Sequence, residues 1–236
     1  MNTFLKNDLI VNKTCITITE KNPQKIYERL NHALNVSKYA EIRLDYLDNE
    51  KYIKKTINSI GKKINRCICT LRDVSEGGRF DGNEKERTYL FECMYNANPF
   101  LIDIEFNIIN KNNKIFKLLK LQKNLLVSWH KLDNTPTYYY LTHKLSQMKK
   151  ISTNVKIITT ANSISDNIRI LSLYKNSNDT SLIAFAMGHI GKISRLICLY
   201  LGSPFSYVVI NKNVAEGQFK LSEHNLFFKN INIKYT

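Results

Sequence analysis

Eight short runs of β-branched and apolar residues recur along the chain at intervals of about 20 to 30 residues: Cys15 to Thr19, Tyr39 to Asp45, Arg66 to Arg72, Phe100 to Phe106, Leu125 to His130, Val155 to Ala161, Leu182 to Met187 and Phe205 to Ile210. Segments with apolar residues at helical spacing separate them, among them Asn22 to Val36, Glu84 to Ala97, Thr137 to Lys150 and Ser163 to Tyr174. A strand that is apolar throughout is covered on both faces, and successive parallel strands need long crossovers. The alternation therefore predicts an α/β fold with a parallel sheet wrapped in helices. Eight such steps close naturally into a (β/α)8 barrel, and residues 1–236 are read as one such domain. Residues 1 to 14 precede the first strand and are expected to cap the barrel bottom. An open doubly wound sheet fits less well, because the first strand runs into Glu20-Lys21-Asn22-Pro23 and no G-x-G-x-x-G occurs.

Composition narrows the class. Hydrophobic residues at 43% exclude a disordered chain. No apolar run approaches the roughly 20 residues of a membrane span. The start, Met1 to Val11, is interrupted by Asn2, Lys6, Asn7 and Asp8, so a soluble cytoplasmic protein without an export signal is expected. The five cysteines, Cys15, Cys67, Cys69, Cys93 and Cys198, are odd in number and mostly embedded in apolar runs, which favours reduced core thiols. Cys67-Ile68-Cys69 lacks the paired spacing of a zinc site, and no metal is expected. The net charge of +15 raises the question of nucleic acid. Lysines make up 27 of the 35 basic residues and are scattered, so a solvated surface is the expectation rather than a nucleic-acid face. Arginine is more telling: Arg43, Arg72 and Arg195 lie at or beside strand ends or a glycine-rich turn, where a planar guanidinium holds a carboxylate better than lysine does.

Catalytic groups of such a barrel gather at the C-terminal ends of its strands. Lys156 interrupts Val155-Lys156-Ile157-Ile158, and His130 closes Leu125 to His130. An ammonium in a buried strand is penalised by desolvation and is relieved by losing its proton or reacting; the neutral amine is a nucleophile toward ketones. With an ordinary pKa near 10.4, only about one lysine in a few thousand is neutral at pH 7, so burial and nearby cations are expected to activate it. His130 offers a group for proton traffic. Each residue also has a plainer reading: His130 as a hydrogen-bonded strand end, and Lys156 as a snorkelling side chain near a strand start.

Further polar residues fall at the same end. Glu41, Arg43 and Asp45 alternate along one face, and both mutual Glu41–Arg43 pairing and a ligand-binding role are open. Arg72 leads into Asp73-Val74-Ser75-Glu76-Gly77-Gly78, a tight loop expected to bring Arg72 and Glu76 over the barrel mouth. Asp103 and Glu105 put two acids on one face of the fourth strand. Gly188 and Gly191 flank a turn into a helix whose N-terminal amides favour an anion, phosphate or carboxylate, with Arg195 beside it. Ala215-Glu216-Gly217-Gln218 adds a glycine-assisted loop and an amide. His189 is expected to be exposed; His32, His143 and His224 are assigned no role.

Taken in order, these motifs resemble the type I 3-dehydroquinate dehydratases, the Schiff-base enzymes of the shikimate pathway, over residues 15 to 218. The match comprises E-x-R-x-D at Glu41 to Asp45, T-x-R then E-G-G at Thr70 to Gly78, D-I-E at Asp103 to Glu105 and S-x-H at Ser128 to His130. It continues with Thr135-Pro136, Lys156, M-G-x-x-G-x-x-S-R at Met187 to Arg195, and Gly217-Gln218. The resemblance implies a hydro-lyase that eliminates water from 3-dehydroquinate to give 3-dehydroshikimate, without metal or cofactor. It implies that Lys156 forms the imine and His130 is the general acid/base, oriented by Glu76. Arg195 and Gln218 are then implied to hold the carboxylate end, while Glu41, Arg43 and Arg72 bind ring hydroxyls and neighbouring oxygens. It also implies a homodimer.

Three places depart from the family pattern. Lys131-Leu132 stands where Asp-Phe is usual, and Lys131 would lower the proton affinity of His130 if it pointed inward. Val214-Ala215-Glu216-Gly217-Gln218 replaces Ser-Ala-Pro-Gly-Gln, and Ser206-Tyr207 replaces Thr-Phe. Two rival readings are a Schiff-base aldolase on the same fold, distinguished by its product, and an inactive basic nucleic-acid-binding barrel. Retention of Lys156, His130, Glu76 and Arg195 argues against the second. A fused shikimate dehydrogenase is not expected, given the length and the missing dinucleotide fingerprint.

Overall fold

The computed structural model describes residues 13–49, 51–111, 113–119, 124–210 and 215–231. Parallel strands β1 (Thr14–Ile18), β2 (Tyr39–Arg43), β3 (Cys67–Thr70), β4 (Leu101–Glu105), β5 (Leu125–His130), β6 (Asn154–Thr160), β7 (Ser181–Met187) and β8 (Ser206–Val209) realise all eight predicted runs. The helices between them are α1 (Pro23–Val36), α2 (Lys51–Ile60), α3 (Glu84–Ala97), α4 (Phe106–Lys111), α5 (Asn113–Leu119), α6 (Tyr138–Lys149), α7 (Ile164–Leu171) and α8 (Ser194–Tyr200), with α9 (Leu221–Ile231) at the end. β1 and β4 are buried at every position, as strands covered on both faces must be.

Local chemistry sets the helix boundaries. Asn22 caps α1 by accepting from the Lys25 amide, Pro23 occupies the first turn, and Ile26, Leu30, Ala33 and Leu34 form the buried stripe. Asn83 and Glu86 form a reciprocal capping box on α3, and Asn98 ends it in the left-handed region at φ 48°. At the N-terminal ends of the strands an aromatic plug closes the core: Tyr39 stacks on Phe100 at 4.2 Å, and Phe205 packs against Tyr39 at 5.7 Å.

The sheet order is β7-β6-β5-β4-β3-β2-β1-β8-β9, where β9 (Phe219–Lys220) is a short strand not anticipated from the sequence. The fold is thus a curled parallel sheet flanked by helices, and the expected closed ring is corrected to one with a seam. Each strand has two hydrogen-bonding edges. Those of β8 are taken by β1 and by β9, which pairs with Val208 and Val209, so among the described residues β7 has no ladder across the seam. Curling still brings the far strands together, because Lys156 Nζ of β6 lies 4.4 Å from the ring centre of Tyr207 on β8. At the top, a Cβ on Gly217 would stand 2.5 Å from the Gly188 carbonyl oxygen, so the loops after β7 and β8 touch backbone to backbone. The expected N-terminal cap falls on residues 1 to 14, of which 1–12 lie outside the described residues. Among the described residues no helix is long and apolar enough to cross a membrane.

Candidate active site

A cavity of about 110 Å³ opens at the C-terminal ends of the strands, lined by all eight residues singled out from the sequence: Glu41, Arg43, Arg72, Glu76, His130, Lys156, Arg195 and Gln218. Parallel register explains the gathering. Lys156 stands opposite Ser128, Ser128 opposite Glu105, and Asp103 opposite Thr70, so inward side chains of neighbouring strands meet in one layer. Lys156 sits at the third position of β6, two residues below the level of His130, and its stem carries the amine upward.

Lys156 is 6% exposed. Its Nζ donates to Asp103 Oδ2 at 3.0 Å and lies 3.7 Å from Glu41 Oε1. The expectation that nearby cations activate it is therefore corrected: its nearest charged neighbours are acids, because the cation at hand, Arg72, is itself bound to Asp103 Oδ1 at 2.6 Å. Burial alone would raise the Asp103 carboxyl, but Arg72, Lys156 and the Ser128 hydroxyl overcome it and bring the pKa down to about 2. Asp103 and Ser128 are thus part of the site's framework. Sequence alternation put Asp103 on one face of β4 with Glu105 but gave no sign that it joins Arg72 to Lys156.

His130 Nδ1 lies 3.0 Å from Glu76 Oε2, and the His130 amide donates to the same oxygen at 3.1 Å. Burial pushes the Glu76 carboxyl up to about 8; Arg72 opposes this, while Glu105 and Asp103 reinforce it. Burial also holds the His130 imidazole well below its ordinary value, and the positive charges of Arg72, Lys156, Arg43 and Arg195 act in the same direction. The imidazole is therefore neutral near pH 7 and able to accept a proton. Lys131 takes no part, since it points outward and pairs with Asp133 at 2.9 Å.

The glycine loop is held in place by its backbone. A Cβ on Gly78 would fall 2.0 Å from the Arg72 carbonyl oxygen, and Gly77 has φ 78°, so both positions demand glycine. Arg43 does not pair with Glu41 but makes a fork to Asp45 at 2.9 and 2.7 Å. The strand stops at Arg43, and Asp45 lies in a 3-10 turn, Leu44–Tyr46. Glu41 instead accepts from the hydroxyls of Thr17 at 3.1 Å and Thr70 at 3.0 Å; the sequence reading did not single out Thr17 and named Thr70 only as the start of the T-x-R motif.

Arg195 differs from every other charged group here. It is 2% exposed, and among the described residues its Nε has no partner and no carboxylate pairs with it. Its NH2 donates to the Glu216 carbonyl at 3.3 Å, and burial brings its pKa down to about 10. The helix end expected to bind an anion is corrected. The Ser194, Arg195 and Leu196 amides donate to the carbonyls of Gly191, Lys192 and Ile193, and the Ser194 hydroxyl bonds to Gly191 O, so these donors are spent within the turn. Gln218 Nε2 donates to Thr17 Oγ1 at 3.3 Å, with its Oε1 accepting from the Ala215 amide. Val214 lies outside the described residues. His189 is exposed, as expected. His224 is fully buried against Phe228 in α9, away from the cavity, with burial bringing its pKa down to about 4.

A paired lysine amine, a neutral imidazole backed by a carboxyl and a buried guanidinium that has no carboxylate partner among the described residues can together bind a carboxylate, condense with a ketone and move a proton. Comparison with known proteins points the same way. The family model described as type I 3-dehydroquinase matches residues 14–234. The 3-dehydroquinate dehydratase of Dehalococcoides mccartyi strain 195 is 37% identical over 168 residues, covering 70% of this chain and 75% of that protein. The corresponding protein of strain BAV1 is 36% identical over 197 residues, covering 82% and 86%. The crystal structure of the type I 3-dehydroquinate dehydratase of Clostridium difficile shares the fold, with a TM-score of 0.82 at 22% identity over 94% of this chain and 93% of that one. The chain belongs to the type I 3-dehydroquinase family.

Proposed function

We propose that the protein eliminates water from 3-dehydroquinate to give 3-dehydroshikimate through an imine on Lys156. The observation that carries this reading is that a lysine amine and a neutral imidazole line one small cavity with Arg195, a buried cation that has no carboxylate partner among the described residues. The Lys156 amine adds to the substrate ketone and water leaves, giving a protonated imine. That cation withdraws electrons from the adjacent ring carbon, and His130 removes the proton there to form an enamine. With Nδ1 tied to Glu76, Nε2 is the nitrogen that faces this task. The enamine pair then expels the hydroxyl as His130 returns its proton, so a second water departs. Hydrolysis of the conjugated imine consumes one water and frees both product and lysine. The imine is the electron sink, so the chemistry calls for no metal or cofactor.

In this reading Arg195 and Gln218 hold the carboxylate, while Glu41, Arg43 and Arg72 fix the ring oxygens. The two protons that the Lys156 nitrogen loses leave with the ketone oxygen as water, and Asp103 and Glu41 stay as carboxylates facing the iminium. Borohydride added with 3-dehydroquinate should fix the reduced ligand mass on Lys156, and a conjugated-enone absorbance should appear without borohydride. Turnover with no label, or label on another lysine, refutes the assignment. Release of a cleaved carbon chain instead of the enone would favour the aldolase.

The reading also holds that the curled sheet is a (β/α)8 barrel fastened at its seam by loops and side chains. It further holds that the protein is cytoplasmic, binds no nucleic acid and forms a homodimer. Support for the dimer comes from α7 and α8, where Ile164 (77% exposed) and Ile168 on one helix and Ile197 and Tyr200 on the other are outward apolar residues, and neither helix contains a lysine. Such a face suits self-association of a chain whose net charge is +15. Sedimentation velocity giving only monomer would remove that part.

A further inference from the structure

Below the acids, Lys156 rests on an aromatic ring for which the elimination has no stated use. Tyr207 is 4% exposed and lines the cavity; its ring centre is 4.4 Å from Lys156 Nζ. We propose that Tyr207 is a positioning residue for Lys156: its ring face forms, with Asp103 and Glu41, a seat for the positive nitrogen both as ammonium and as iminium. This rests on the Schiff-base reading.

Three features hold the ring in place. The β1–β8 ladder sets Tyr207 opposite Cys15, Phe205 meets its ring edge-on at 5.4 Å and 85°, and Phe205 is in turn backed by Tyr39. The phenol is buried and has no hydrogen-bond partner among the described residues. Burial first, then the Glu41, Cys15 and Asp103 charges, push its pKa well above the ordinary value, so the ring stays neutral and presents a π face. A cation over such a face is attracted by the ring quadrupole whichever way its own N–H bonds point.

Directionality is why the ring matters more as the reaction proceeds. An ammonium has three N–H donors to share between Asp103 and Glu41, whereas a protonated imine has one. Both acids are already engaged, Asp103 by Arg72 and Ser128, and Glu41 by Thr17 and Thr70. When the nitrogen becomes planar and loses two donors, the ring is the neighbour whose attraction does not depend on them.

The test uses the full-length protein and reads kcat together with the pH dependence of borohydride trapping at Lys156. The groups facing Lys156 are Asp103 on β4, Glu41 on β2, Cys15 on β1, His130 on β5 and Tyr207 itself. Tyr207→Phe keeps the face and should behave like wild type within about twofold. Tyr207→Leu, and Tyr207→Met as a second variant should Leu fail to melt cooperatively by circular dichroism, should lower kcat about tenfold. In both, the trapping limb should move to lower pH by about one unit, because loss of the face disfavours the charged nitrogen. A packing defect alone would leave that limb in place. The proposal is overturned by an unshifted limb in the non-aromatic variants, or by Tyr207→Phe losing as much as they do. Absence of trapping in wild type defeats the underlying Schiff-base reading and this proposal with it.

Discussion

The two sides of the cavity follow opposite plans. On the β3–β6 side almost every polar atom is engaged: Arg72 reaches Ser128 at 2.7 Å and Asp103 at 2.6 Å, Asp103 reaches Lys156 at 3.0 Å, and Glu76 Oε2 meets both the backbone amide and Nδ1 of His130. On the β7–β8 side Arg195 is equally buried yet has no acid, and its Nε is unpartnered among the described residues. A buried charge without a partner costs several times more than a paired one. Under the proposed reaction the saturated side would fix the reacting groups before substrate arrives, and the unsaturated side would be completed by the substrate's own charge.

Four substitutions would break or sharpen this contrast, taken in order of expected effect. His130→Ala should lower kcat by about 10²- to 10⁴-fold while borohydride still traps the imine, because proton transfer is lost and condensation is not. Equal loss of both, in single-turnover measurements, would make His130 a structural member. Asp103→Ala should cost about 3 to 5 kcal/mol in urea unfolding, since Arg72 and Lys156 are left without their acid. The Asp103 pKa is depressed to about 2, so its stabilisation is present above the ordinary carboxyl range and is lost as pH falls toward 2. Wild type should therefore approach the variant's stability in acid.

Arg195→Gln should cut kcat/KM by about 10- to 100-fold, mostly through KM, as a charge-assisted carboxylate contact is worth about 1.5 to 3 kcal/mol. Unfolding stability should be unchanged or higher, in contrast to Asp103→Ala; a destabilised variant would count against the idea that this side awaits its partner. The smallest effect belongs to Glu76→Gln, about tenfold in kcat. Glu76 stays neutral up to about pH 8 while His130 remains neutral throughout that range, so wild-type activity should rise through about pH 8 as Glu76 ionises and selects the Nδ1–H tautomer. The glutamine variant should lack that limb in its pH–rate profile.

Legibility in the sequence follows the range of the interactions. Leu125–His130 and Glu84–Ala97 end where periodicity and capping residues place them, because strands and helices obey local rules. Tertiary partners obey none. The shared face of Asp103 and Glu105 was legible from alternation, but the Asp103 bridge from Arg72 to Lys156 spans 31 and 53 residues of chain. For the same reason Arg43 was open to pairing with Glu41 although the fork it makes is to Asp45. The two-residue β9 is too short to carry a period, and the seam it creates followed it out of sight. His224 was assigned no role from the sequence, and its burial against Phe228, one turn on, is a tertiary fact that its neighbours in the chain do not announce.

The seam has a mechanical consequence. Arg195 and Gln218 belong to its two lips, one from the β7 side and one from the β8 side, and both line the cavity. A carboxylate gripped by both would act as a clasp across a ring that its own backbone leaves unfastened. Deuterium uptake along β7 should accordingly slow when ligand is bound, while the continuous ladder from β1 to β6 should exchange at the same rate with or without it.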